Sequence, residues 1–424
     1  MKRGGKLYLI YRIVFLLALL ISWPYLVLRA LIGGHGLKER LGIWDFVPDD
    51  RKTIWFHAAS MGELKVIATI LPRLNEIIPD IRIVITTITK TGKKMAGKLF
   101  PSADIYYLPL DTIFAVNMVK RKIRPVLLVL VETEIWPVLI KQLKKKGVKI
   151  VIVNGRISRE SFRFYKIFKF LFSSVLQSVD LLMAQTDSDC KRFIELGALP
   201  SSVGVHGNTK FDQALIRDIK PSAKELVDFI NEEDKFVFIA GSVRAGEIME
   251  VIKAIYDIRR DINNIKTIIA PRHMKDSKLV EKSLKSFNIS YIKRTGLQRA
   301  GDIENPVLVL DTMGELGGLY RFADLAFVGG SFEPLGGHDP LEPASAGCMV
   351  CFGPYMDNSR VFADLLVQSG GAVYVKNGRE LAHLVKEVSA DKKIAEVMGE
   401  KARQTVVSGS GISKRIAQKL VELI

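Results

Sequence analysis

Short apolar runs recur along the chain, with amphipathic stretches between them. From Thr53 the runs fall at 53–58 (TIWFHA), 82–87 (RIVITT), 126–131 (VLLVLV), 148–153 (VKIVIV) and 180–184 (DLLMA). A polar interval, Asp212 to Asp234, contains Pro221 and has no strong apolar run. A second series follows at 235–240, 266–270, 306–310, 324–328 and 349–352, and the chain ends in a helical pattern from Ile412. Runs of this length, rich in aliphatic and β-branched residues, read as strands buried on both faces, and the amphipathic stretches read as helices. Strand–helix alternation predicts parallel sheets covered by helices: an α/β protein with two doubly wound domains and a ligand cleft between them. The polar interval places the predicted domains at residues 36–215 and 216–424.

Residues 7–32 stand apart as one long apolar stretch. Its charge-free centre, Ile13–Leu28, is 16 residues long and contains Pro24. Lys2, Arg3 and Lys6 precede it, Arg12 and Arg29 flank the centre, and Tyr11, Trp23 and Tyr25 suit a membrane interface. This pattern predicts a membrane anchor over residues 1–35, either a short crossing helix or one lying in the interface. No small-x-small cleavage site follows it.

Charge adds a partner class. Among 424 residues, 62 Lys and Arg face 45 Asp and Glu, an excess of 62 − 45 = 17 positive charges. Such an excess points to anionic partners. It is concentrated between Met118 and Leu171, where 14 basic residues stand against 3 acidic ones, interleaved with Phe162, Phe164, Tyr165, Phe168 and Phe170. That mixture suits acidic lipid headgroups, while no nucleic-acid recognition motif occurs. The three cysteines do not make a disulfide framework, and Cys348-Met-Val-Cys351 lies on a predicted buried strand, which reads as two core residues. With no HExxH and few histidines, a protein-bound metal is not expected.

Candidate chemistry lies where predicted strands end. His57-Ala-Ala-Ser-Met-Gly62-Glu63 closes the first strand; Glu63 reads equally as a general base or as a first-turn Glu favoured by the helix dipole. Glu132-Thr-Glu134-Ile-Trp-Pro137 follows VLLVLV, and its two carboxylates share a face only if the strand persists through them. Lys210 of Asn208-Thr-Lys-Phe-Asp212 reads by itself as a solvated lysine or, if it faces a cleft, as one that offsets charge on a leaving phosphate. Arg272 follows Pro271 at another strand end, and Met313-Gly314-Glu315 opens a helix. Asp187-Ser-Asp189 resembles a D-x-D metal motif but falls where a helix starts, so N-capping is the better reading. The densest cluster is FVGGSFEPLGGHDPLEPASAG, residues 327–347. A strand, a glycine-rich turn and a helix start near Pro340–Leu341, capped by Asp339, lets backbone N–H groups approach an anion. His338 and Glu342 bracket that start, one placed for a phosphate and the other for a ribose hydroxyl.

These segments carry a resemblance. HAASMGE, TKTG, ETEIWP, NGRIS, KFD, PRH, DTMGEL and FVGGSFEPLGGHDPLEPA are similar, in the same order, to motifs of the Kdo transferases. Those enzymes add 3-deoxy-D-manno-octulosonic acid (Kdo) to the lipid A precursor of lipopolysaccharide. The resemblance covers essentially the whole chain. It implies a GT-B fold of two Rossmann-like domains, with the acceptor in the first and CMP-Kdo in the second. It implies inverting, metal-independent transfer without a cofactor at the cytoplasmic face of the inner membrane. By matching motif, Glu63 is implied as the base, and Glu132 and Lys210 as the positions that stabilise the transition state. Pro271, Arg272, Met313, Gly314, Glu315, Asp339, Pro340, Leu341 and Glu342 are implied as contacts to CMP. The sequence departs from the pattern at Asp339, where the family has Asn, and at Gly241-Ser-Val-Arg244, where it has a Ser-Thr-His stretch. Asn154-Gly-Arg stands where the family has Asn-Ala-Arg. The rival readings are a GT-B transferase using a UDP-sugar on a lipid acceptor and an inactive lipid-binding protein on the same scaffold.

Overall fold

The computed structural model describes residues 2–33, 36–216, 224–230, 235–299 and 306–424. Much of the polar interval 212–234, including Pro221, lies outside them, as do the side chains of Lys2, Arg3, Lys6, Trp23, Tyr25 and Arg29. Two compact units are formed: Met1–Gln213 with Ser410–Ile424, and Ala214–Gly409.

The first unit is built on seven parallel strands: β1 (Thr53–His57), β2 (Arg82–Thr87), β3 (Asp104–Tyr107), β4 (Leu127–Val131), β5 (Lys149–Gly155), β6 (Leu181–Ala184) and β7 (Val203–Val205). Their spatial order is β3-β2-β1-β4-β5-β6-β7. Every residue of β1 and β4 is buried, as central strands covered by helices on both faces require. The second unit repeats the plan with β8 (Phe236–Val243), β9 (Ile265–Pro271), β10 (Tyr291–Lys293), β11 (Val307–Val309), β12 (Leu325–Val328), β13 (Met349–Phe352) and β14 (Ala372–Tyr374), in the order β10-β11-β9-β8-β12-β13-β14. Cys348 and Cys351 are free and buried in separate apolar clusters of this unit. Strand order reverses between β1 and β4 in one sheet and between β8 and β12 in the other, and ligands gather at such switch points, outside the carboxyl ends of the strands.

Residues 410–424, expected in the second domain, belong to the first unit. The helix Ile412–Val421 packs on the helix Met61–Ile77. Its N-terminus has no cap of its own: Gly411 stands there in a left-handed conformation. Asp212 supplies the cap from far along the chain, its carboxylate accepting from Gly411 N (2.6 Å), Ser413 N (2.7 Å) and Ser413 Oγ (2.8 Å). Charge-assisted bonds to a buried carboxylate explain why this segment follows Asp212 across the boundary. Asp212→Ala is expected to lower the stability of the first unit by about 1.5–3 kcal/mol, read as a lower denaturation midpoint with unchanged slope. A change within error would deny the cap this weight.

The membrane-spanning anchor is also corrected. Residues 2–33 form one helix, yet among the described residues no helix is long and apolar enough to cross a membrane. Sixteen uncharged residues rise about 24 Å, short of a hydrocarbon core of about 30 Å. One face of this helix is committed to protein, for Tyr8 and Tyr11 pack against the core and the Tyr11 hydroxyl donates to Asp111 at 2.8 Å. Leu9, Ile10, Ile13, Val14, Leu17 and Ile21 remain exposed. The basic–aromatic stretch divides in the same way. Phe162 and Tyr165 turn into the core, while Phe164, Ile167, Phe168 and Phe170 face outward from the helices Arg159–Ile167 and Lys169–Leu176.

Candidate active site

In the first unit, charged groups from three strand ends gather at the switch point. β1 runs into the helix Met61–Ile77, whose N-cap Ser60 accepts from Glu63 N at 3.3 Å, while Glu63 Oε2 accepts from Ala59 N at 2.7 Å. These reciprocal bonds hold the Glu63 side chain against the strand end. Only 7% of Glu63 is exposed, and burial pushes its carboxyl up to about 7. The Ala59 N–H and Ser60 oppose that rise; the charges of Glu134 and Glu132 add to it.

β4 stops at Val131, so the strand does not persist through the two glutamates that follow. Glu132 instead adopts a left-handed conformation, φ 59°, which costs a residue with a Cβ about 1 kcal/mol. Burial raises its pKa, while the charges of Arg156 and Lys210 pull the other way. Glu134 takes a different course. Its Oε2 accepts from Trp136 Nε1 at 3.0 Å and lies 3.4 Å from Nε2 of the fully buried His57. Lys210 is placed by a chain of hydrogen bonds. Asn154, also left-handed at φ 53°, accepts from Thr209 N at 3.2 Å, and Asn208 Oδ1 accepts from Lys210 N at 3.0 Å. Glu63, Glu132 and Lys210 thus share one locality. His57, Glu134, Arg156 and Asn154 join them there, and no motif spacing announces their roles. Asp189 is committed to local structure: Thr186 is the N-cap, Asp189 Oδ2 accepts its hydroxyl at 2.6 Å, and Asp189 Oδ1 accepts from Ile157 N at 3.0 Å. The expected capping therefore falls one residue earlier than Asp187.

In the second unit the glycine-rich loop leaves β12 beside the ends of β8 and β9. It does not form the helix-terminus cradle expected of it. The helix Leu341–Ser345 has only five residues and a weak dipole. Several of the loop's N–H groups are already engaged. The buried Glu247 carboxylate accepts from Gly330 N, from Ser331 N and Phe332 N at 3.2 Å each, and from Arg244 N at 2.8 Å. Gly337 N and His338 N bond back to Gly330 O and Gly329 O at 2.8 and 3.1 Å. Gly336 and Gly337 have φ of 87° and 68°, and a Cβ on either would strike Asn358 or Met356. Nothing in the first-turn spacing of Glu247 distinguishes it from an ordinary N-terminal glutamate.

Side chains therefore carry the positive charge of this site. Arg244 Nε donates to His338 Nε2 at 3.2 Å, and its Nη1 lies 3.3 Å from His273 Nε2. Arg272 N bonds to Val243 O at 2.8 Å, which sets the two arginines on adjacent strand ends. Burial, then the charges of Arg272, Arg244 and His273, push His338 down to about 4. Pro271 ends β9 as a buried residue and Arg272 is exposed. Met313 is exposed and Gly314 is left-handed at φ 90°. Glu315 is held by Arg294 Nε at 3.0 Å and by the Thr312 hydroxyl. Asp339 accepts from Leu341 N at 3.1 Å, although Pro340 is the residue at the cap position. Pro340 and Leu341 are buried, and Glu342 lies over Gly317, where a Cβ would come within 2.6 Å of its carboxylate.

Comparison with known proteins adds sequence to this geometry. Residues 35–213 match the family model of 3-deoxy-D-manno-octulosonic-acid transferase (kdotransferase). A bifunctional glycosyltransferase/methyltransferase of Fusobacterium nucleatum is 35% identical over 82% of this chain, which spans 54% of that relative's length. The 3-deoxy-D-manno-octulosonic acid transferase of Chlamydophila psittaci is 31% identical over 85% of this chain and 84% of its own, and that of Haemophilus influenzae 29% over 87% and 86%. In fold alone, the UDP-GlcNAc 2-epimerase of Neisseria meningitidis (TM-score 0.61, 13% identity, 87% of this chain and 100% of that one) is similar. So is a glycosyltransferase of Rickettsia africae (0.55, 12%, 88% and 98%). The two parallel sheets are thus GT-B-like, and with sequence identity above 30% along most of both chains, this chain belongs to the 3-deoxy-D-manno-octulosonic acid transferase family.

Proposed function

We propose that the chain transfers Kdo from CMP-Kdo to the lipid A precursor (lipid IVA), with inversion and without a metal. The observation that carries this reading is Glu63: a buried carboxylate at the sheet switch point with a pKa raised to about 7, in a member of the Kdo transferase family. A base with that pKa is half deprotonated at neutral pH, the range in which proton transfer is most effective. In the proposed step Glu63 takes the proton of the acceptor's primary hydroxyl as that oxygen attacks the Kdo anomeric carbon. The bond from that carbon to the phosphate breaks, and CMP departs with the electron pair. Glu132 and Lys210 stabilise the transition state, and Arg272 meets the phosphate. We place the reaction at the cytoplasmic face of the inner membrane, with the exposed apolar faces of residues 9–21 and 164–170 resting in an anionic bilayer surface. Recovery of the chain in the supernatant after sedimentation with anionic vesicles would count against that placement.

The test is mass spectrometry of the product after incubation with lipid IVA and either CMP-Kdo or UDP-sugars. Kdo on the lipid from CMP-Kdo alone is expected; a hexose from a UDP-sugar would replace this reading. The pH profile follows from the same group. Because burial raises the Glu63 pKa, the base is lost as pH falls through about 7. Turnover should then drop about tenfold per pH unit below that point and level off above it. A profile flat down to about pH 5 would show that another group, with an ordinary carboxylate pKa, is the base.

A further inference from the structure

We infer that Arg244 is a donor-specificity residue, its guanidinium gripping an anionic oxygen of the CMP-sugar beside Arg272 while His338 and His273 hold it in place. This rests on the CMP-Kdo reading above and adds to it a residue, and a reason for preferring an acidic donor.

The glycine-rich loop lies beside Arg244. A turn of this kind ordinarily offers its N–H groups to a ligand anion. Here five of them are taken internally, by the Glu247 carboxylate and by Gly329 O and Gly330 O. The recognition of ligand charge therefore falls to side chains. Two arginines stand on adjacent strand ends at the switch point, and among the described residues no carboxylate forms an ion pair with either. The charges of both act on His338, and positive charge gathered in this way favours an anion.

Two histidines hold Arg244. Arginine does not lose its proton, so both imidazole nitrogens facing it act as acceptors, His338 Nε2 at 3.2 Å and His273 Nε2 at 3.3 Å. A carboxylate in either place would orient the guanidinium and cancel its charge. Imidazole nitrogens orient it without bringing the negative charge that a carboxylate would. Of the five guanidinium N–H groups, two are engaged in this way, which leaves 5 − 2 = 3 for a ligand. The backbone of Arg244 is fixed as well, since its N–H donates to Glu247, the carboxylate that also holds the glycine-rich loop. Loop and guanidinium are thereby set in register. An oriented, un-neutralised guanidinium is suited to a phosphate or carboxylate oxygen, and the proposed donor carries one of each.

The experiment measures CMP affinity by calorimetry and the kinetics of CMP-Kdo and lipid acceptor for the unaltered chain, Arg244→Gln and Arg244→Lys. For Arg244→Gln the donor KM is expected to rise on the order of 10–100-fold, with the acceptor KM within about twofold. Arg244→Lys keeps the charge but loses the planar fork between the imidazoles, and is expected to fall between the other two. A parallel loss of CMP affinity assigns the guanidinium to the phosphate. Unchanged CMP affinity with a raised donor KM assigns it to the sugar carboxylate. Transfer by the unaltered chain, with both variants within about twofold in donor KM and CMP affinity, would overturn the inference alone. If the unaltered chain neither binds CMP nor transfers Kdo, the donor reading falls and this inference falls with it.

Discussion

Glu63→Ala is expected to abolish detectable Kdo transfer while CMP affinity stays within about twofold of the unaltered chain. General-base assistance contributes on the order of 10²–10⁴ in rate, and nothing nearby is placed to replace it. Glu132 is drawn toward the charges of Arg156 and Lys210, and Glu134 is held by Trp136 and His57. Glu63 differs from both. Its Oε2 is fixed by Ala59 N, and burial holds its carboxyl at about 7. Glu63→Gln separates chemistry from folding, because its amide oxygen can still accept from Ala59 N but cannot take a proton. The Gln variant should unfold at the temperature of the unaltered chain and be nearly as inactive as Ala. Half of normal turnover in either variant would remove Glu63 from the role of base.

The second large effect is expected at Glu247. This carboxylate touches no proposed substrate atom, yet it accepts from four backbone N–H groups, three of them on the glycine-rich loop. Glu247→Ala leaves those donors without a partner in a site that is 1% exposed. At about 1 kcal/mol or more for each orphaned N–H, the second unit should lose on the order of 3 kcal/mol. CMP affinity should fall with it, because the loop and Arg244 lose their common fastening. Glu247→Gln is expected to be intermediate, since its amide offers one acceptor oxygen where the carboxylate offers two. Denaturant titration and CMP calorimetry on the same samples check both effects. An Ala variant with full stability and full CMP affinity would mean that water replaces the carboxylate at no cost.

The positions of these two glutamates show how far local pattern reaches. Glu63 was legible because it follows a buried apolar strand by a short turn, and both features are contiguous in sequence. Its raised pKa was not, because that comes first from burial in the folded unit and then from the charges of Glu134 and Glu132, which β4 brings alongside β1. Glu247 had no readable role. Its partners on the glycine-rich loop lie 83 to 85 residues away, and only the pairing of β8 with β12 brings them together. The loop it fastens was recognised from its glycines and taken for an anion cradle. Tertiary structure fills that cradle from within, and so moves the burden of charge recognition onto Arg244 and Arg272.

The strands divide along the same line. Ten were readable as apolar runs, and all ten lie inside the sheets, where burial on both faces demands continuous hydrophobicity. The four that were not, β3, β7, β10 and β14, are the four sheet edges. Each is partly exposed, whereas β11, β12 and β13, equally short, are buried throughout; an edge strand covered on fewer sides does not require an unbroken apolar run. By itself the sequence determined the α/β class, the central strands, the order of the motifs and, through them, the family. Tertiary structure alone decided the sheet edges, the return of residues 410–424 to the first unit through Asp212, and which charges meet at each switch point. The reason is range: strand burial and turn chemistry are written within a few neighbouring residues, whereas a carboxylate's partners are chosen by whichever segments the sheet brings beside it.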